Sequence, residues 1–348
     1  MLKSLFSIYN NYSNNKKHKV FNICGIKFKF KQKNAVYEKA NFVDFRSDII
    51  ECEKYWIEKF IDELSKMDFF QGYKKLIEKL DDESMETVNT VLKRIKAYQD
   101  NQKIFYNEEE KINFNQTGKF QHKILKINDS CFAYKNYFLP VNHFEYDVFY
   151  EKLFIRKLEN KEKIKSLDII DAGACCGDSA LILSKLTDKN VYAFEPVSSN
   201  YENMLKTIEL NDVKNIIPEK KGLSSEVKTE DIYIFENASS LKYNPSNTNN
   251  VENIEITTID EYVKQNNLQV GLIKSDIEGM EMELLKGANE TIKQFKPTLL
   301  ISIYHSADDF FKIKEYIANL NLGYKIKIIK PKNGYILVGT MLIAQCIE

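Results

Sequence analysis

One stretch of the chain, residues 167–196, constrains the fold more than any other. It reads as an apolar strand ending at Asp171, a turn with glycines at Gly173 and Gly177, a helical run, and a second apolar strand ending in Glu195. A strand, a glycine turn, a helix and a strand with a terminal carboxylate form a unit that holds adenosine-containing ligands beyond the carboxyl ends of parallel strands. The alternative is an ordinary buried unit whose glycines serve packing alone.

The spacing of the glycines indicates which ligand this turn binds. A dinucleotide site requires G-x-G-x-x-G, so that backbone amides approach a pyrophosphate, and here the turn reads Asp-x-Gly-x-x-x-Gly-Asp. A turn flanked by two acids suits a cation better than a phosphate, which favours S-adenosylmethionine (SAM). A carboxylate at Glu195 can accept both ribose hydroxyls. The sequence therefore predicts cofactor contacts from these residues: Asp171, Gly173, Ala174, Cys175, Gly177, Asp178, Glu195, Pro196 and Asp276.

Composition excludes several classes of protein. The chain has 348 residues, of which 43% are hydrophobic, and 50 basic residues balance 50 acidic ones. Zero net charge argues against a strongly cationic nucleic-acid binder, and no apolar run is long enough for a transmembrane helix. The six cysteines show no zinc spacing, so reduced thiols in a cytoplasmic protein are the simplest interpretation.

Two regions are expected. Residues 1–110 are predicted to be mainly helical, because stripes such as Trp56, Phe60 and Leu64 recur at helical spacing. From residue 111 to 348, strand and helix patterns alternate, which predicts an α/β fold with a doubly wound, mostly parallel Rossmann-like sheet and an antiparallel terminal hairpin. The helical stripes are interpreted as core or docking faces. A homo-oligomer is compatible with the sequence, which does not determine the oligomeric state.

Polar residues that follow the strands are the candidates for chemistry, since ligands of open parallel sheets lie at the strand carboxyl ends. Asp276, Glu278 and Glu281 follow one strand, and His305 follows the next. The catalytic candidates are His305, Asp276 and Glu278, because a histidine or a pair of close carboxylates can act as a base near neutral pH. Glu281 is also explained by the dipole of the following helix. The same carboxylates could hold magnesium, so the metal question is open at this point.

Five ordered segments resemble the FkbM-type SAM-dependent methyltransferases. They are Asp171–Asp178, Phe194–Pro196, Thr258–Tyr262, Asp276–Ala288 and Ile303–His305, and the resemblance covers roughly Phe138 to Ile329. It implies a class I methyltransferase fold and O-methylation, often of sugars or of natural products that carry them. It also implies SAM contacts at the glycine turn and Glu195, with Asp276, Glu278 and His305 on the acceptor side. Tyr304 stands where many relatives carry an acid, which puts a metal role in doubt.

The predicted function is SAM-dependent O-methylation of a hydroxyl on a carbohydrate or glycan precursor. Two alternatives are a nicotinamide-dependent sugar oxidoreductase and a catalytically inactive SAM-binding scaffold. The missing dinucleotide motif argues against the first, and intact acids at three strand ends argue against the second. Expected partners are a small-molecule or glycan acceptor, without nucleic acid.

Overall fold

The computed structural model describes residues 6–13, 16–23, 26–31, 50, 53–235, 238–240, 250–331 and 334–347. The chain divides into two compact units, Met1–Arg46 and Ser47–Glu348. The described strands of the first unit pair antiparallel in the order β1-β2-β3. They are β1 (Phe6–Ser13), β2 (Lys16–Ile23) and β3 (Ile26–Lys31).

The described strands of the second unit form a central sheet and two smaller ones. The smaller sheets contain β4 (Leu125–Asn128), β5 (Cys131–Tyr134) and β6 (Tyr137–Leu139), and β10 (Gly222–Leu223), β11 (Lys228–Phe235), β12 (Ala238–Ser240) and β13 (Val251–Thr257). The central sheet contains β7 (Asp168–Ala172), β8 (Val191–Phe194), β9 (Ile216–Glu219), β14 (Val270–Ser275), β15 (Thr298–Ser302), β16 (Lys325–Ile329) and β17 (Met341–Gln345).

Helices precede the central sheet and cover it. Before the sheet lie α1 (Lys54–Leu64), α2 (Phe69–Ile77), α3 (Asp82–Gln99), α4 (Glu108–Gln121), α5 (Tyr146–Phe149), a 3₁₀ helix (Lys152–Lys157) and α6 (Lys161–Lys165). Between its strands lie α7 (Asp178–Leu183), α8 (Ser198–Leu210), α9 (Ile259–Asn266), α10 (Glu281–Gly287), α11 (Asn289–Phe295) and α12 (Ala307–Asn319). None of the helices in the described part of the chain is long and apolar enough to cross a membrane.

The central sheet confirms the predicted doubly wound architecture. Its described strands run in the order β16-β17-β15-β14-β7-β8-β9, and the pairs from β15 through β9 are parallel. The terminal hairpin is antiparallel as predicted, but β17 lies inside the sheet, between β15 and β16. The strand order reverses between β7 and β14, and ligands of open parallel sheets bind at such a switch point.

Burial on both faces explains why the central strands read as continuous apolar runs. Every residue of β14 and β15 is buried, and Ile169 and Ile170 of β7 have no exposed surface. Helices cover both faces of a parallel sheet, so its strands lack the alternation of a half-solvated sheet. This buried core fixes the strand ends, from which the candidate site residues project.

The predicted boundary near residue 110 does not coincide with the boundary between the compact units. Helices α1 and α2 pack against α12, and α3 packs against β16, so these helices belong to the same unit as the central sheet. The described residues 6–13, 16–23 and 26–31 form strands, which differs from the mainly helical prediction for this part of the chain. In Ile26–Lys31 apolar residues alternate with lysines, and this period of two is typical of a strand. The helical spacing that favoured the prediction belongs to the residues that follow.

Candidate active site

The glycine turn after β7 requires its glycines. Gly173 and Gly177 have φ values of +74° and +85°, in the left-handed region that side chains disfavour. A Cβ on Gly173 would lie 1.9 Å from the carbonyl oxygen of Asp276, and this contact leaves no room for a side chain. The turn therefore packs directly against the end of β14, so the cofactor motif and the second acidic segment form one surface.

Asp171 and Lys274 form a buried ion pair beneath this turn. The Asp171 carboxylate has no exposed surface, lies 3.0 Å from the Lys274 ammonium, and accepts a hydrogen bond from the Ser179 hydroxyl at 2.7 Å. Lys274 also donates to the carbonyl oxygens of Ala172 and Gly173, at 3.3 and 2.8 Å. Asp171, predicted to contact the cofactor, is thus buried beneath the turn, where its ion pair with Lys274 stabilises the turn.

Glu195 ends β8 with its carboxylate at the turn. It is 5% exposed and accepts hydrogen bonds from the backbone amides of Cys175 and Val197, at 3.0 and 2.9 Å. Burial raises the pKa of Glu195 to about 7, although the hydrogen bonds from Val197, Asn200 and Cys175 favour the ionised form. The turn therefore fixes the position of the carboxylate. Because its pKa lies near 7, additional hydrogen bonds to its oxygens would favour the ionised form.

A cleft opens above the turn. It contains about 700 Å³ of space outside the protein atoms, part of it open solvent. Its lining includes Gly173, Cys175, Glu195, Pro196 and Asp276 from the predicted cofactor set, together with Phe194, Asn200, Lys221, Leu223, Ile232, Ile254, Ile277, Glu278 and Met280. Of the other predicted residues, Ala174 is fully buried and Gly177 precedes α7, so they shape the turn and lie outside this lining.

Asp178 is not among the residues that line the cleft and lies near His143. It is 4% exposed, and its Oδ2 lies 3.9 Å from His143 Nε2, while Glu145 Oε1 lies 3.5 Å from the same nitrogen. Burial alone would lower the pKa of His143, but the charges of Glu145 and Asp178 raise it to about 9. The structure thus places Asp178 in an ion-pair cluster beside the cleft.

His305 lies among three carboxylates. Its Nε2 is 3.2 Å from Asp276 Oδ1 and 3.7 Å from Glu278 Oε2, and its Nδ1 is 3.0 Å from Glu281 Oε1. The His305 side chain has no exposed surface, whereas the side chains of Asp276 and Glu278 are 36% and 27% exposed. The predicted catalytic residues are therefore brought together, with the two carboxylates facing the cleft and the histidine behind them.

The charges in this cluster determine which group can accept a proton. Burial opposes protonation of His305, but Glu281, Asp276 and Glu278 hold its pKa well above the usual value, so it is an imidazolium at neutral pH. Hydrogen bonding to that imidazolium lowers the pKa of Asp276 despite burial. Burial, with Asp276 and Glu281 nearby, raises the pKa of Glu278 to about 7.

Helix α1 supplies one wall of this cluster. The Trp56 ring meets the His305 ring edge to face at 5.2 Å between centroids, and Lys59 donates to the carbonyl oxygen of His305. Tyr55 lies beside Trp56, at 5.0 Å between ring centroids. Sequence reasoning interpreted Trp56 as part of a core stripe, yet the buried members of α1 are Ile57 and Phe60.

Comparisons with known proteins agree with this geometry. The Methyltransferase FkbM domain model matches residues 171–326, the part that contains the turn, Glu195 and the His305 cluster. Residues 171–326 form an FkbM methyltransferase domain. Methyltransferase 1 of Beauveria bassiana (strain ARSEF 2860) is 20% identical over 231 residues, which cover 60% of this chain and 91% of that protein.

A solved structure extends the likeness of the fold beyond the FkbM domain. The crystal structure of Methyltransferase FkbM from Methylobacillus flagellatus KT aligns with a TM-score of 0.54 and 19% identity. The alignment covers 83% of this chain, which spans 62% of the length of that structure. The predicted class I methyltransferase fold is confirmed, and the resemblance to FkbM methyltransferases is confirmed for residues 171–326.

Asp276, Glu281 and His305 of the FkbM domain have ligand atoms within 4.8 Å of one another and form a candidate metal site. Each ring nitrogen of His305 already faces a carboxylate, and magnesium prefers oxygen ligands to imidazole. Both oxygens of Glu281 accept backbone hydrogen bonds, from Ile277 and Gly279. This arrangement is that of an ion-pair cluster and does not fit magnesium.

We expect His305 to be an imidazolium at neutral pH. In a pH titration followed by NMR of the imidazole ring, its signal should stay at the protonated position well above pH 6.5, because three carboxylates surround it. The stability that this charge contributes is complete below the unfolded-state pKa and is lost as the pH rises through the folded-state pKa. The variant H305Q assigns the signal among four histidines, and a midpoint at or below 6.5 would contradict the assignment.

Sequence reasoning missed three features of the site. The sequence does indicate that Lys274 is paired, because a lysine inside an apolar strand needs a buried partner such as Asp171. Glu145 and Asp147 lie at the start of α5, and no local pattern indicates that this helix start is near Asp276. Tyr55 and Trp56 were hidden by the amphipathic pattern of α1, although Trp56 is the single tryptophan of the chain.

Proposed function

We propose that this protein transfers the methyl group of SAM to a hydroxyl of a carbohydrate or glycan precursor. The observation that carries the proposal is the adjacency of two features at one sheet edge. A cleft for the cofactor is built on Gly173 and Glu195, and Asp276 and Glu278, which line its other side, also face His305. A methyl donor in the cleft would lie beside carboxylates able to receive a proton.

The residues of the cleft fit SAM better than a dinucleotide. Three carboxylates, of Glu195, Asp276 and Glu278, line it, and they suit ribose hydroxyls and the positive charges of SAM while disfavouring a pyrophosphate. Glu195 would accept hydrogen bonds from the ribose. SAM supplies an already activated methyl group, so the protein must orient the acceptor and exclude water.

Glu278 is the base that we assign to the acceptor hydroxyl. A general base is most effective when its pKa lies near the working pH, and burial places that of Glu278 at about 7. The sequence offers His305, Asp276 and Glu278 as candidates, but a buried imidazolium has no lone pair for a proton. It acts as a positioning residue that holds Asp276 and Glu278 at 3.2 and 3.7 Å.

The acceptor side supports a polyhydroxyl substrate without negative charge. Burial, with Asp276 and Asp178 nearby, raises the pKa of Asp147 to about 6. Further negative charge would be repelled there, whereas carboxylates readily accept hydrogen bonds from sugar hydroxyls.

The free thiols Cys131, Cys175, Cys176 and Cys346 fit a reducing compartment, and we propose that the protein is cytoplasmic.

The proposal is tested by ligand stabilisation and by methyl transfer. SAM should raise the melting temperature and NAD should not, since a ligand at 100 times its Kd stabilises a fold by about 2.7 kcal/mol. Isotopically labelled SAM is then incubated with methyl glycosides of glucose, galactose, mannose, rhamnose and N-acetylglucosamine. Transfer of label to a hydroxyl supports the proposal. Stabilisation by NAD alone, or binding of SAM without transfer to any glycoside, contradicts it.

A further inference from the structure

Helix α1 lies outside the FkbM domain, and backbone amides of two later segments, one of them within that domain, hold its two ends. At its start, the Glu53 carboxylate accepts backbone hydrogen bonds from Ile336, Leu337 and Val338. At its end, Glu63 accepts one from Ala307, the first residue of α12, at 2.7 Å. These contacts with backbone amides set the position and the rotation of α1, so its side chains present a rigid surface beside the site.

Tyr55 is the residue of this surface that combines exposure with proximity to the base. Its side chain belongs to the exposed large hydrophobics, at 37%, while Trp56 behind it packs on His305 and Tyr304. The Tyr55 ring lies 5.0 Å from the Trp56 ring, and His305, on which Trp56 packs, has its Nε2 3.7 Å from Glu278 Oε2. Partial burial and the carboxylates of Glu278 and Glu63 also raise the pKa of the Tyr55 phenol. An aromatic ring held at the rim by another aromatic ring costs little entropy when a ligand covers it.

The chemistry of this pair matches a sugar ring. A pyranose has an apolar face of C–H groups and an equator of hydroxyls, so it stacks on an aromatic ring while carboxylates accept from its hydroxyls. Here the exposed ring of Tyr55 is connected to the partly exposed carboxylates of Glu278 and Asp276 through the packed rings of Trp56 and His305. Two aromatics at the start of α2 are also exposed, Phe69 at 46% and Phe70 at 69%.

We propose that Tyr55 is a specificity-determining residue that stacks on the sugar ring of the acceptor and aligns its hydroxyl with Glu278. This inference rests on the proposed function, since it names the contact by which that function would recognise its acceptor. It assigns acceptor recognition to a helix outside residues 171–326, whereas the cofactor cleft is built within them. The hydroxyl of Tyr55 is not required for stacking, so a phenylalanine should replace it.

The test uses whichever methyl glycoside of the five-member panel is methylated fastest. We expect Y55A to raise KM for that glycoside about tenfold or more, with kcat changed less than about threefold, because stacking acts on binding. Y55F should keep KM within about threefold of the original, and F70A, the matched loss of an exposed aromatic, should change nothing. The Kd of S-adenosylhomocysteine should be unchanged in all three variants.

The outcomes separate the two proposals. Methylation with an unchanged KM in Y55A overturns the role of Tyr55 and leaves the proposed function intact. A loss in Y55F equal to that in Y55A overturns stacking as well. If no glycoside of the panel is methylated while S-adenosylhomocysteine binds, the carbohydrate acceptor fails, and the inference fails with it.

Discussion

Replacing Asp171 by alanine is expected to lower the free energy of unfolding by about 3–5 kcal/mol, because it strands the buried Lys274 ammonium without its counter-charge. Lys274 is 4% exposed and is held 3.0 Å from Asp171, so water cannot solvate it in the folded state. The measurement is urea unfolding at pH 7. The glycine turn should loosen with it, since Lys274 also donates to the carbonyl oxygens of Ala172 and Gly173.

Two further variants show whether the loss comes from the stranded charge. The double variant D171A/K274M should recover part of the stability, because it removes both charges together. D188A breaks a surface pair with Lys165 at 3.9 Å, and it should cost less than about 1 kcal/mol. A loss in D171A no larger than that in D188A would show that Asp171 does not hold the turn.

Glu278→Gln is expected to lower kcat for methyl transfer by about 10²–10⁴-fold, the usual contribution of a general base. The amide keeps the size of the side chain but cannot take the proton of the acceptor hydroxyl. In the unsubstituted protein, kcat/KM should rise with pH and level off above about 7, because Glu278 must be ionised to act and burial places its pKa there.

The control for this variant is E283Q in helix α10, where Glu283 pairs with Lys286 at 2.6 Å on the surface. It should leave kcat within about twofold, as expected for a surface substitution. S-adenosylhomocysteine should bind E278Q with a Kd within a few-fold of the original. A kcat in E278Q close to that of E283Q would transfer the role of base to Asp276.

The parts of the fold that the sequence predicts are those fixed by local chemistry. The turn between Asp171 and Asp178 needs glycines where φ is positive, and apolar runs such as 298–302 are long enough for strands buried on both faces. The switch point follows from strand alternation, so the gathering of Glu195, Asp276 and His305 at one sheet edge could be predicted.

Other features depend on contacts between distant parts of the chain. The insertion of β17 between β15 and β16 is decided by strand pairing, which the sequence of Met341–Gln345 does not encode by itself. The charge of His305 depends on Glu281, which the dipole of α10 would equally explain. The place of Tyr55 and Trp56 against His305 depends on three backbone amides of residues 336–338 that hold Glu53.

The central claim, a SAM-binding methyltransferase, is tested most directly by calorimetric titration with S-adenosylhomocysteine at pH 8 and pH 6, on the original protein, E195Q and E209Q. We expect binding at pH 8 that weakens as the pH falls through about 7, since Glu195 must be ionised to accept the ribose hydroxyls. E195Q should bind about 10–100 times more weakly, the value of hydrogen bonds to a charged group, and E209Q, changed at an exposed residue of α8, should bind normally. Absence of binding to the original protein at either pH would contradict the account.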